Sequence, residues 1–362
     1  MMIPDKYHRA TAQLRNRATI LVLFALMAFA CATPRASETD SDIEEPRSRY
    51  SADSGSIPVG AIPEAMLRDR ERQRDVGLSI DYPTSAGPHP LIIFSHGFGG
   101  SGRGYVGLSS HWASNGYVVI KPTHVDNTRL ADITAANFAD RVADVKFVID
   151  SIPALEQKYP ELKGKIDTTR IGVGGHSLGA LTAMLIAGTR TFPGARSYAD
   201  PRVKAVVAMS PQGPRESWGL TKESWAEVRT PVMFMTGDRD QGIDESETPE
   251  WRREAFELSA PGDKWLVFIS GAGHLAFTGR LGVMPEEGQR PATMPDPNDP
   301  YGTNRQDARR GRPAYSDPVR AVSGTIKALS LAFWDAYLRG DAAGKEQLEK
   351  AQERHGIEVK TK

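Results

Sequence analysis

The chain has 362 residues, with 45 basic and 45 acidic side chains, a formal net charge of zero and one cysteine. Less a targeting segment, that length suits one large α/β domain rather than two, with a core that needs no metal or disulfide to fold. Balanced charge gives no footing for nucleic acid or an anionic surface as partner, and a single cysteine excludes an intramolecular disulfide and a cysteine-based zinc site.

Residues 1–30 read as an export signal. Lys6, Arg9, Arg15 and Arg17 form a positive n-region, and Ile20 to Ala30 (ILVLFALMAFA) has the length of a signal h-region, short for a bilayer span. Ala28-Phe29-Ala30 is an A-x-A cleavage site, and Cys31 follows directly. The pattern resembles a bacterial lipoprotein signal, in which the cysteine is lipidated and becomes the mature N-terminus, although Phe29 is bulkier than that motif prefers. Plain cleavage near Ala30 and an uncleaved anchor stay open beside it. The expectation is an exported protein, membrane-attached through lipidated Cys31 or otherwise periplasmic or secreted. Residues 31–56 are mostly Ser, Glu, Asp, Pro and Arg. They bury too little to offset chain entropy, which predicts a flexible tether.

Residues 57–345 are predicted to form the folded domain and 346–362 a charged C-terminal tail. Candidate strands are Leu78–Tyr82, Leu91–Ser95, Tyr117–Pro122, Arg170–Gly174, Lys204–Met209, Val232–Thr236 and Trp265–Ser270. Runs such as LIIF, YVVI and WLVFI are nearly all apolar, as in parallel strands covered on both faces. Between them, Ala135–Ile152 has amphipathic helical spacing, Leu178–Ala187 reads as a buried helix, and Val319–Leu338 as a final helix. Alternating strands and helices predict an α/β fold, a mostly parallel central sheet with helices on both faces. The Pro- and Gly-rich insert 279–318 breaks the rhythm. Leu281, Val283, Met284, Met294 and Tyr301 give it apolar residues to lay over a pocket, so a partly ordered flap at the rim of the site is expected.

Gly175-His176-Ser177-Leu178-Gly179 is a G-x-S-x-G elbow between an apolar strand and an apolar helix. Such a turn strains the serine, exposes it at the tip and leaves no room for side chains two residues to either side. The helix that follows aims its N-terminal N–H groups at the site. Upstream, the strand Leu91–Ser95 runs into His96-Gly97-Phe98-Gly99-Gly100.

The segments PLIIFSHGFGG, ASNGYVVIKPTHVD and GGHSLGA, with the closing FWDAYLRGD, resemble the platelet-activating-factor acetylhydrolase, chlorophyllase and dienelactone-hydrolase-like branch of the α/β-hydrolases. The resemblance covers roughly Gly77 to Asp341. It departs from dienelactone hydrolases, which have cysteine where this chain has Ser177, and in the long insert. It implies the α/β-hydrolase fold, Ser177 as nucleophile, and the backbone N–H groups of Phe98 and Leu178 as oxyanion hole. The family's chain order is Ser, Asp, His, which implies His274 as base, since the other downstream histidine, His355, lies in the charged tail. Asp238 and Asp240 both follow the preceding strand; the family pattern selects Asp240 as the acid and leaves Asp238 as a turn residue.

His96 and His176 read as packing or hydrogen-bonding residues, His176 also as a pocket neighbour of the nucleophile. His124 and Asp126 lack a third ligand at metal spacing, so no metal and no cofactor are expected. Trp218, with Phe98, is a candidate pocket wall; Trp225 fits there or in the core. The predicted activity is hydrolysis of a small-molecule or lipid-like carboxylic ester through an acyl-enzyme. The alternatives are an amidase or peptidase on the same fold and a catalytically silent surface protein that binds a partner through the insert.

Overall fold

The computed structural model describes residues 49–127, 135–242, 244–278 and 317–362. Its strands are β1 (Val59–Asp69), β2 (Arg74–Pro83), β3 (His89–Ser95), β4 (Val118–Thr123), β5 (Ile166–His176), β6 (Val203–Met209), β7 (Val232–Arg239), β8 (Lys264–Gly273) and β9 (Ile357–Thr361). They form one sheet in the order β1-β2-β4-β3-β5-β6-β7-β8-β9. The pairings from β4 through β8 are parallel, whereas β1 with β2, β2 with β4 and β8 with β9 are antiparallel.

The apolar runs fill both faces of this sheet. In β3, Leu91 and Ile93 join one core while Ile92 and Phe94 join the other. In β6, Val206 and Ala208 alternate in the same way with Ala205, Val207 and Met209. Side chains two apart share a face, so a strand buried on both sides must be apolar at every position. The first core is covered by α2 (Ala135–Asp150), α3 (Ile152–Lys158) and α4 (Leu178–Ala187). The second lies under α1 (Val106–Ser114), α6 (Asp317–Trp334) and α7 (Ala342–Lys350). A shorter helix, α5 (Pro249–Glu257), follows β7 and packs against it. This is the α/β-hydrolase architecture the sequence predicts.

Two expectations need correction, and one strand was not expected. The tether does not extend to residue 56. Arg49 bonds the buried Asp335 at 2.7 Å, and Gly55 N–H bonds Ser114 Oγ at 2.8 Å. Asp335 also accepts from Tyr117 at 2.6 Å and Arg339 at 2.7 Å, so Arg49 completes a buried polar cluster. The charged tail is no tail either: α7 packs on α6 and β9 closes the sheet beside β8, with Val359 buried. Finally, β1 is a strand that the sequence does not announce. Pro63 lies where its register with β2 shifts, between Ile62 and Ala65, as suits proline on a sheet edge.

The export signal, Cys31 and residues 279–316 of the insert lie outside the described residues; its last two positions, Asp317 and Pro318, begin α6. Among the described residues, no helix is long and apolar enough to cross a membrane.

Candidate active site

Strand β5 ends at His176, and α4 begins at Leu178. Ser177 makes the turn between them at φ 55° and ψ −123°, a conformation that L side chains seldom adopt. The flanking glycines are sterically forced: a Cβ on Gly175 would collide with the Gly179 carbonyl, and one on Gly179 with the Ser95 carbonyl at the end of β3. Ser177 N–H donates to Met209 O at 2.9 Å, which ties the elbow to β6. Leu178 N–H belongs to the first turn of α4 and has no acceptor within that helix.

The loop after β3 is held from the inside. Gly97 O accepts from His96 Nδ1 at 2.7 Å, from Gly100 N–H at 3.0 Å and from Arg141 Nη2 at 3.4 Å. Arg141 also bonds His96 O at 2.7 Å and is neutralised by Asp126 at 2.8 Å. In a planar trans peptide the C=O and N–H point opposite ways. With Gly97 O pinned inward, the Phe98 N–H is turned outward. Phe98, Ser177 and Leu178 all line one cavity of about 440 Å³, and His274 lies on its wall as well.

His274 follows β8 and Asp240 follows β7. His274 Nδ1–H donates to Asp240 Oδ1 at 2.8 Å, so Nε2 is the nitrogen left to accept a proton. Asp240 is fully buried, and its other oxygen accepts from Thr236 at 2.8 Å. Arg252 Nε lies 3.1 Å from Oδ1 and bonds the Asp240 carbonyl at 2.9 Å. Burial alone would raise the Asp240 pKa. The bond from His274 and the Arg252 charge outweigh it and hold the carboxyl below its usual range, ionised wherever the imidazole needs a partner. Asp238 is engaged elsewhere, accepting from Gly271 N–H at 2.6 Å and Ser270 Oγ at 3.1 Å, where it joins β7 to β8.

Trp218 lines the cavity, and the Arg215 guanidinium lies 4.5 Å over its ring. Arg215 is itself paired with Asp244 and Glu247, so its charge is already compensated. Trp225 is wholly buried and belongs to the core. His176 departs from expectation: it is not among the residues that line the cavity, and its Nε2 bonds the His274 carbonyl at 2.9 Å. His124 and Asp126 have protein partners, Asp144 at 2.8 Å and Arg141 at 2.8 Å.

Sequence reasoning passed over Arg141, Arg252 and Gln212. The two arginines are wholly buried on otherwise amphipathic helices, and a charge placed on the apolar stripe is the one signal that marks them. Gln212 lines the cavity at 4 % exposure, and its Oε1 has no hydrogen-bond partner among the described residues.

Burial also keeps a set of histidines neutral. It pushes His96, His124 and His176 well below the ordinary value and His111 down to about 4. The unfolded chain takes up those protons first, near about pH 6.5. This contribution to stability is complete above that pH and is lost as the pH falls through the folded-state values. The melting temperature should therefore drop steadily from pH 6.5 towards pH 4 in a calorimetric series; a flat profile over that window would count against the neutral assignment.

A model of the chlorophyllase family matches residues 54–211. That segment holds the His96–Gly100 loop and Ser177 and stops short of Asp240 and His274. Cutinase est2 of Thermobifida alba is 25% identical over 200 residues, 55% of this chain and 57% of that protein. A bis(hydroxyethyl) terephthalate hydrolase of Streptomyces coelicolor is 27% identical over 204 residues, 56% of this chain and 54% of that protein. Cutinase cut1 of Thermobifida fusca is 25% identical over 164 residues, 45% of this chain and 43% of that protein. The chain thus spans about half the length of the curated relatives that it matches.

Proposed function

We propose that this chain, a member of the α/β-hydrolase superfamily, hydrolyses carboxylic esters through an acyl-enzyme on Ser177. The observation that carries the reading is a serine on a strained elbow, sharing a cavity with a histidine whose Nδ1–H is held by a buried, ionised aspartate. His274 Nε2 takes the Ser177 proton as Oγ attacks the ester carbonyl. The carbonyl oxygen, now an anion, is received by the Phe98 and Leu178 N–H groups. Collapse expels the alcohol, which takes the proton from His274. Water, deprotonated by the same imidazole, then attacks the acyl-enzyme and frees the acid and Ser177. Asp240 fixes the tautomer throughout and stabilises the imidazolium.

The cavity favours a neutral ester with an apolar or aromatic body. Phe98 and Trp218 offer ring surface, and the nearby cation Arg215 is paired with carboxylates, so an anionic substrate gains little from it. The relatives' names point the same way, to cutin and terephthalate esters. A series of p-nitrophenyl esters of increasing chain length, with bis(hydroxyethyl) terephthalate, tests the reading. Hydrolysis of at least one series member well above the rate in buffer is expected. Turnover of anilides with no turnover of the matching esters would move the assignment to an amidase.

We also propose export, with attachment to a bacterial membrane through lipidated Cys31. The support is the basic n-region, the short apolar run and the Ala28-Phe29-Ala30-Cys31 junction. A bacterial host should incorporate labelled palmitate into the unaltered chain and none into Cys31→Ser. Equal labelling of both, or of neither, would contradict the anchor.

A further inference from the structure

Tyr105 and His176 lie between the two halves of the site, and no step above uses them. Their hydrogen bonds have one consistent direction. His176 Nε2 is 2.9 Å from the His274 carbonyl oxygen, which can only accept, so Nε2 carries the hydrogen. Burial, and after it the charge His274 acquires, drives the His176 pKa far below the ordinary value, so the ring is neutral and Nδ1 is an acceptor. Nδ1 lies 3.0 Å from the Tyr105 hydroxyl, which therefore donates to it. The same hydroxyl accepts from Gly97 N–H at 3.0 Å. An unbroken line runs from the residue before the Phe98 oxyanion donor, through Tyr105 and His176, to the backbone of the base.

Two features show that this line is built rather than incidental. Tyr105 sits at φ 61° and ψ 21°, a left-handed conformation that persists in a non-glycine residue only where its surroundings hold it. At Gly97, a Cβ would come within 3.4 Å of Ser177 Cβ and of the Tyr105 hydroxyl, and within 3.3 Å of His176 Nδ1. The tyrosine hydroxyl, the histidine ring and the nucleophile's Cβ thus converge on the Gly97 backbone.

We propose that Tyr105 and His176 are positioning residues that hold the oxyanion loop at a fixed offset from the base, an inference that rests on the ester-hydrolase reading. Acyl transfer needs the Phe98 N–H and His274 Nε2 to reach the same tetrahedral centre, one at its oxygen and one at the Ser177 proton. The two groups sit on loops that follow different strands, β3 and β8, and the Tyr105–His176 line spans them. A misplacement of about 1 Å at such a centre can cost about 100-fold in rate.

Tyr105→Phe removes the hydroxyl and keeps the ring. In a folded variant, kcat should fall about 10- to 100-fold with KM little changed. Affinity for a trifluoromethyl ketone, which forms an oxyanion on Ser177, should fall with kcat/KM. A hydroxyl that only supports the fold would lower the melting temperature and leave kcat and ketone affinity intact, and that result overturns the proposal. The unaltered protein gives a second reading that does not depend on a variant folding. Nitrogen-15 spectra of its histidines at neutral pH should show His176 as the Nε2–H tautomer; the Nδ1–H tautomer or an imidazolium would break the line and defeat the proposal. If the unaltered chain neither hydrolyses esters nor reacts with a phosphonate, the ester-hydrolase reading fails and this inference falls with it. An active unaltered enzyme beside a fully active Tyr105→Phe defeats the positioning role alone.

Discussion

Ser177→Ala should lower kcat for the best p-nitrophenyl ester by roughly 10⁶-fold, to the residue of rate that an oxyanion hole and substrate binding supply alone. The effect is large because the serine oxygen is the atom to which the acyl group is transferred. Without it, neither the imidazole nor the N–H pair has a nucleophile to serve. Binding should survive. The cavity wall loses one hydroxyl and keeps Phe98 and Trp218, so a product acid should bind the variant about as well as the unaltered chain. The elbow should survive too, since the alanine Cβ occupies the position of the serine Cβ at the same backbone angles. A variant that retains more than about a tenth of the activity, measured free of host esterases, is incompatible with Ser177 as nucleophile.

Asp240→Asn should lower kcat by about 10⁴-fold, whereas Asp238→Asn should change it little. The two aspartates are two residues apart on the same segment but do different work. Asp240 accepts the His274 Nδ1–H at 2.8 Å, while Asp238 is taken up by the Gly271 N–H at 2.6 Å. An asparagine at 240 can present its N–H₂ to Nδ1, which selects the Nδ1-unprotonated tautomer and places the hydrogen on Nε2, facing the serine. The base is then blocked on the side that must receive a proton. Arg252 adds a second cost, because its buried guanidinium loses the nearer of its two carboxylate partners, Asp240 Oδ1 at 3.1 Å, and keeps Glu247 at 3.5 Å. Kinetics on both variants, with melting curves to confirm that each is folded, decide the matter. The reverse ranking would transfer the role to Asp238.

What the sequence makes legible follows from how local the physics is. The parallel core reads off directly, because β3, β4, β6 and β8 each hold an unbroken apolar run, Leu91–Phe94, Val118–Ile120, Ala205–Met209 and Trp265–Ile269. The elbow reads as clearly, since Gly175 and Gly179 are required by contacts within a few residues of Ser177 and at the end of β3. The sheet edges do not. In β1 the buried positions Ala65, Leu67 and Asp69 alternate with exposed Met66 and Arg68 and follow a proline; β9 buries Val359 and little else. Such strands are defined by the neighbour they pair with, which lies far away in sequence. The same holds for the polar supports. Arg141 meets the His96 carbonyl across 45 positions, and His176 meets the His274 carbonyl across 98. Residue types and motifs mark the candidate reacting atoms. The hydrogen bonds around them, such as that of His176 to the His274 carbonyl, are seen only in the folded chain.

The most direct test of the central claim is covalent. The unaltered protein is treated with a small fluorophosphonate, digested, and the modified peptide sequenced by mass spectrometry while ester hydrolysis is followed in parallel. One phosphonyl group per chain is expected, on Ser177 within the peptide that carries GGHSLGA, with hydrolysis lost in proportion to labelling and no label on Ser177→Ala. A label on a different residue, or undiminished hydrolysis in a chain fully labelled at Ser177, would contradict the account.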